Sequence, residues 1–188
     1  MTAPVAQQAV STSKVWTIDP AHSLIEFSVK HLMISTVKGR FNTFSGAITV
    51  DPNDFTTGSV EVTIAVSSIS TGVDQRDAHL RTADFFEVEQ YPTITFRSTR
   101  VEHVDDDEYY LFGDLTMHGV TKQVRLDVTH EGQIKDPMGA TQRAGFTATT
   151  NLLRKDFGLT YSAVLETGGV ALGDKVKVEI HLEAVQQS

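Results

Sequence analysis

From Trp16 to Glu183 the chain is written largely in alternation of apolar and polar positions. Ile25, Phe27 and Val29 alternate with Glu26, Ser28 and Lys30; Val60, Val62, Ile64 and Val66 with Glu61, Thr63, Ala65 and Ser67. Near the end, Val176, Val178, Ile180 and Leu182 alternate with Lys177, Glu179, His181 and Glu183. Successive side chains of a strand point to opposite faces, so each run predicts a strand with one apolar and one wet face. Val37, Gly39 and Phe41 start a further run whose parity breaks, because Phe41 and Phe44 are three apart. A bulge or bend near Asn42-Thr43 would keep both rings inside a curving sheet. Shorter patterns at 93–96, 109–116, 124–128 and 144–148 bring the count to about eight strands. Asp19-Pro20 predicts a kink in the first strand. Turns are expected at 51–54, at His118-Gly119, around Pro137 and Gly139, and at Gly168-Gly169.

Residues 74–90 break the alternation and switch to helical spacing. Leu80, Ala83 and Val88 can share a stripe, and Asp77 and Arg81 can pair four apart. Thr82 can cap a second turn that throws Phe85 and Phe86 to different sides, one into the core and one to close something. Pro92 holds Tyr91 extended and starts the next strand.

About eight antiparallel strands with one helical interruption predict an all-β fold, a closed antiparallel barrel with a short helical segment near 74–90. Closure removes the edges an open sheet would leave exposed. Such a barrel holds either packed side chains or one ligand, and the inward set is apolar, so any ligand should be too. The stretch 109–116 is apolar on both faces, with Tyr110 and Phe112 outward. That outer face predicts a cover, from the helix or from a second copy in a homodimer.

Composition then removes alternatives. At 188 residues the chain fits one domain, 15–188, behind a flexible tail of residues 1–14. A net charge of −8 without a basic run speaks against nucleic acid. The tail carries no early positive charge and no long apolar run, which predicts a cytoplasmic protein. With no cysteine there is no thiolate nucleophile, disulfide or cysteine-held zinc.

The candidate chemistry is thin. His22 and His31 are nine apart, which puts them on opposite faces of a continuous strand, so no metal site is expected. Asp19 and His22 read instead as turn-fixing groups. The acidic run Asp105-Asp106-Asp107-Glu108 lacks the glycine and spaced ligands of a calcium loop and reads as a hairpin tip. No serine sits in a nucleophile elbow and no glycine-rich loop follows a strand, so no enzyme is expected. Asp74 and Asp77 are more simply neutralised by Arg76, Arg81 or Lys30 than paired for acid–base work.

One ordered set of motifs carries a resemblance: the opening Trp16-Thr17-Ile18-Asp19-Pro20 through His31, then Gly39-Arg40-Phe41, Asp74-Gln75-Arg76-Asp77-Ala78-His79-Leu80 and Phe85-Phe86. Tyr91-Pro92, Phe96, Gly113-Asp114-Leu115-Thr116, Gly119-Val120-Thr121-Lys122 and Arg154-Lys155-Asp156-Phe157-Gly158 complete it. Together they resemble the YceI family over residues 15–184. The resemblance implies a lipocalin-like barrel that binds a polyisoprenoid lipid, a quinone precursor or prenyl phosphate, for transport or storage. It implies no cofactor beyond that lipid, often a homodimer, and transient membrane contact. The expected wall residues are Phe27, Val29, Phe41, Phe44, Ile64, Phe85, Phe86, Phe96, Leu111 and Phe146. The expected mouth residues are His22, Arg76, Asp77 and Arg154. The same alternation also permits a filled, purely structural or stress-response barrel.

Overall fold

The computed structural model describes residues 13–139, 141–163 and 171–187. The expected turn at Gly168-Gly169 and most of the expected tail lie outside them. In order come β1 (Lys14–Ile18), β2 (Leu24–His31), β3 (Ser35–Phe41), β4 (Phe44–Asp51), β5 (Asp54–Ala65) and β6 (Ile69–Ser70). The helix α1 (Asp74–Leu80) follows, then β7 (Thr93–Asp105), β8 (Glu108–Met117), β9 (Val120–Lys135), β10 (Gln142–Leu153) and β11 (Leu172–Gln186).

All pairings are antiparallel, and β1 pairs with β11 to close the sheet into a barrel. β1 and β2 lie in succession along the same edge of β11, β4 and β3 along the next position, and β5 and β6 along the one after. Three broken strands and five continuous ones therefore make eight staves, the number the alternation predicts.

Two of the breaks trace to particular residues. Pro20 has no N–H for a ladder, so Pro20–His22 forms a 3-10 turn. Asp19 Oδ1 accepts from Ala21 N at 3.0 Å and Oδ2 meets His22 Nδ1 at 2.9 Å. His22 is thereby outside any strand, and the parity argument about His22 and His31 does not apply. Between Phe41 and Phe44 the chain bends at Asn42, one of the two expected forms, without a bulge. It changes partners, from β2 and β6 to β1 and β5. Asn42 N donates to Ser68 O and Thr43 N to Ser68 Oγ, and both phenylalanines are buried.

The helical segment is shorter than the stripe predicts. After Leu80 the chain tightens into turns, with Phe86 N donating to Leu80 O and Glu87, at φ +46°, donating to Thr82 O. Leu80 and Val88 pack on the core while Ala83 is exposed. The pairing of Asp77 with Arg81 does not form, because each has a better partner. Asp77 accepts from Thr71 N and Thr71 Oγ1, while Arg81 donates to Ser67 O and Ile69 O. A seven-residue helix has little stability of its own, and these bonds to β6 and its flanks hold it.

The outer face of β8 is covered from within the barrel. The Arg125 guanidinium lies 4.3 Å from the Tyr110 ring centroid and that of Arg100 4.1 Å from Phe112, both from flanking strands. α1 docks beside β6, so the cover does not come from the helix.

Two glycines shape the interior. A Cβ on Gly39 would stand 2.9 Å from Phe27 Cε1, and one on Gly113 would stand 2.6 Å from both Arg97 O and Phe96 Cε2. Each phenylalanine ring therefore occupies wall space that a neighbour's side chain would need, which draws it toward the wall and leaves the axis open.

Candidate functional site

The barrel encloses a cavity of about 280 Å3 bordered almost entirely by apolar side chains. The filled-barrel expectation therefore does not describe the interior. Phe27, Val29, Phe41, Ile64 and Phe96 line the cavity from the strands expected to supply them, as do Leu111 and Phe146. Val176, Val178, Ile180 and Leu182 complete the wall from β11. Phe44 is absent from this lining; it faces inward but packs in the core cluster with Val66, Ile69 and Phe157. Its partner change at the β3–β4 break sets that position, which parity could not show.

The helical segment crosses one end. Phe86 packs edge-on to Phe41 with centroids 6.1 Å apart, while Phe85 packs against Tyr161 at 4.9 Å and His79 at 5.1 Å. The adjacent phenylalanines thus divide, one to the core and one to a closing aromatic group, and both border the cavity. At the far end Phe55 packs against Tyr109, His130 and Phe146, at 5.6, 4.8 and 6.4 Å. Burial, then the nearby charges of Asp107 and Asp54, push the Tyr109 phenol up, so it stays protonated at neutral pH. Phe55 and Tyr161 carry no signal in the alternation, since each gains its place only by meeting distant rings.

The expected mouth residues are dispersed. Arg154 alone borders the cavity, 4% exposed. Its donors are committed: Nε to Gly173 O at 3.0 Å, Nη1 to Leu159 O at 2.6 Å and Tyr161 O at 2.7 Å, Nη2 to Leu172 O at 3.4 Å. Nη2 also lies 3.2 Å from Asp174 Oδ1. Burial lowers its pKa and Asp174 opposes that shift. Arg154 therefore clamps the start of β11 to the 159–161 segment, with four of its N–H groups on backbone carbonyls and its charge met by Asp174. Arg76 donates to Thr71 Oγ1 and O, and Asp77 is buried on the same threonine, so both fasten the helix start away from the lining.

His22 lies in a separate charged cluster. Arg143 donates from Nη1 to Asp19 at 3.0 Å and to Glu183, and from Nε to Asp136 at 2.8 Å. Asp19, His22 and Glu183 bring possible ligand atoms within 4.8 Å of one another, but the guanidinium already occupies the place and charge a cation would supply. His22 and then Arg143 hold the Asp19 carboxyl below its ordinary 3.8, and Arg143 holds Asp136 down likewise. Asp19 raises His22 above its ordinary 6.5.

These shifts fix the sign of a pH effect. The lowered carboxylates stabilise the fold above their unfolded values near 3.8, and that contribution is lost as pH falls through the folded ones. Raised His22 contributes fully below 6.5 and loses its share as pH rises through its folded value. Arg143 itself opposes the charge on His22, so the stability gap between wild type and Arg143→Met, read from urea midpoints, is expected to be fully present above about pH 4 and not to shrink as His22 loses its proton. It should shrink in acid; a gap that widens below pH 3 would refute the assignment.

A UPF0312 protein of Staphylococcus aureus is 42% identical over 168 residues, spanning 89% of this chain and 95% of its own. The crystal structure of Burkholderia cenocepacia BcnA superposes with a TM-score of 0.75 at 26% identity, over 88% of this chain and 98% of that one. A polyisoprenoid binding domain from Saccharophagus degradans, implicated in plant cell wall breakdown, shares the fold with a TM-score of 0.66. Its identity is 19%, over 92% of this chain and 98% of its own. No helix among the described residues is long and apolar enough to cross a membrane. The model of the YceI-like domain matches residues 16–184, nearly the whole barrel, and on that match and the identity to its relatives the chain belongs to the YceI family.

Proposed function

We propose that this protein binds a long-chain polyisoprenoid lipid, of the quinone-precursor or prenyl-phosphate type, in its lumen and carries or stores it without catalysis. The single observation that carries the reading is an open cavity lined almost wholly by apolar side chains inside a closed barrel, with its one bordering guanidinium held on backbone carbonyls. Such a lumen recognises a tail and leaves a polar head outside. The Saccharophagus degradans domain of the same fold, described as polyisoprenoid binding, supports the choice of tail chemistry.

The energetics suffice. Each buried methylene contributes about 0.8 kcal/mol, so a few isoprene units offset the cost of ordering the tail and still leave useful affinity. The described residues of one chain supply the lining, so the reading holds for a single copy.

Protein purified from its native host and examined by native mass spectrometry is expected to carry a lipid adduct that organic solvent releases. Repeated preparations with no long-chain lipid would overturn the reading.

A further inference from the structure

The β2–β3 turn breaks the pattern of the other described hairpin tips. The β7–β8 tip is Asp106-Asp107, the β8–β9 tip His118-Gly119, and the β4–β5 tip Pro52-Asn53. Between His31 and Ser35 stand Leu32, Met33 and Ile34, which are 37%, 61% and 85% exposed. Met138, at the far end of the barrel, is also exposed but lies between Pro137 and Gly139. Ile34 N donates to His31 O, and Leu32 and Met33 have φ of +51° and +59°, a turn geometry that favours asparagine and glycine at both positions. Two bulky apolar residues thus hold a left-handed backbone and display their side chains to solvent, an arrangement neither packing nor turn chemistry explains.

The surroundings of this tip say what it meets. On the outer face, Lys30 stands opposite Thr36 and Lys38 opposite Ser28, which makes the two lysines diagonal neighbours across the β2–β3 ladder. Lys175 is exposed on adjacent β11. None of the three forms an ion pair among the described residues, whereas Asp174 is held by Lys155 and Arg154. Glu26 and Glu179 lie further down the same face. In a chain of net charge −8, three cations outside any ion pair stand behind an apolar tip, and although Lys38 also acts on Glu179 they make the rim nearest the tip basic. The tip also adjoins the lumen. Val29 and Leu172 line the cavity, His31 pairs with Leu172, and Leu32 N donates to Ala171 O at 2.9 Å. Ala171 N in turn donates to Ala163 O, near Tyr161, the partner of Phe85 in the closing aromatic group.

We propose that Leu32, Met33 and Ile34 form a membrane-contact tip that enters the interface of an anionic lipid bilayer and brings the helix-crossed end of the barrel against it. A three-residue convex tip is far too small for a specific protein interface, which needs about 20–30 residues a side. A few inserted apolar side chains with a basic rim are sufficient for reversible attachment to an anionic bilayer. The contact deepens the carrier reading and rests on it only for its purpose: a tail passing between bilayer and lumen need not cross open water.

Vesicle sedimentation with the full chain tests it. Wild type is expected to sediment with vesicles of phosphatidylcholine and phosphatidylglycerol in equal parts, to bind phosphatidylcholine vesicles more weakly, and to lose that preference at high salt. The triple variant Leu32→Asn, Met33→Gly, Ile34→Thr suits the turn better than the native residues. It should melt no lower than wild type while binding about tenfold more weakly or worse, as loss of the inserted side chains requires. Lys30→Glu with Lys38→Glu should abolish the preference for anionic vesicles. Wild type that ignores both vesicle types, as a protein-docking tip would, or a triple variant that binds like wild type, overturns the proposal. Lipid-loaded protein that ignores vesicles overturns this contact and leaves the carrier reading standing. Tip-dependent vesicle binding by protein that never yields lipid upholds the contact and overturns the carrier reading.

Discussion

Replacing Ala148 by phenylalanine is expected to leave the barrel folded and to empty it of lipid. Ala148 is buried in one cluster with Leu111 and Leu126, borders the cavity, and stands opposite Ile180 and Val128 on the flanking strands. A ring placed there extends into the 280 Å3 cavity. In a close-packed core such an insertion costs about 1–3 kcal/mol through strained rotamers. In an open lumen the ring buries its own apolar surface without displacing neighbours, so stability should hold or rise by about 1–2 kcal/mol. The urea midpoint should therefore stay or increase with an unchanged slope, while bound lipid disappears from the mass spectrum. A destabilised variant that keeps its lipid would show that the space used by the ligand lies elsewhere.

The second large effect is on stability. Arg154→Met removes a guanidinium whose donors meet four backbone carbonyls and which lies beside the Asp174 carboxylate, while keeping an apolar stem of similar reach. The carbonyls of Leu159, Tyr161, Leu172 and Gly173 lose their partner and Asp174 loses a counter-charge. Breaking such a buried arrangement costs about 3–5 kcal/mol, and a chain of this size then melts roughly 10 °C lower. Lysine should rescue little, since one ammonium with three donors cannot span the directions that the planar fork covers. Hydrogen exchange should quicken first at residues 159–161 and 172–174. A melting point within a degree or two of wild type would mean that water or a rearranged chain replaces the clamp.

The alternation alone determined the all-β class, the eight staves and the inward apolar set, because period two is a local property that holds wherever the strands end up. Phe27, Val29, Phe41, Ile64, Phe96, Leu111 and Phe146 border the cavity for that reason. The hairpin at the acidic run and the kink at Pro20 were legible likewise, from proline and turn chemistry. Contacts between positions far apart in sequence decided the rest. Phe44 left the lumen because the chain changes partners at Asn42, and the helix stopped at Leu80 because Asp77 and Arg81 bond to the strand before it rather than to each other. Arg154 looked like a free cation in a family motif. It became a clamp only when β11 and the 159–161 segment brought their carbonyls to it, since a buried charge must find every partner the fold can deliver, and no spacing along the chain records which partners those are.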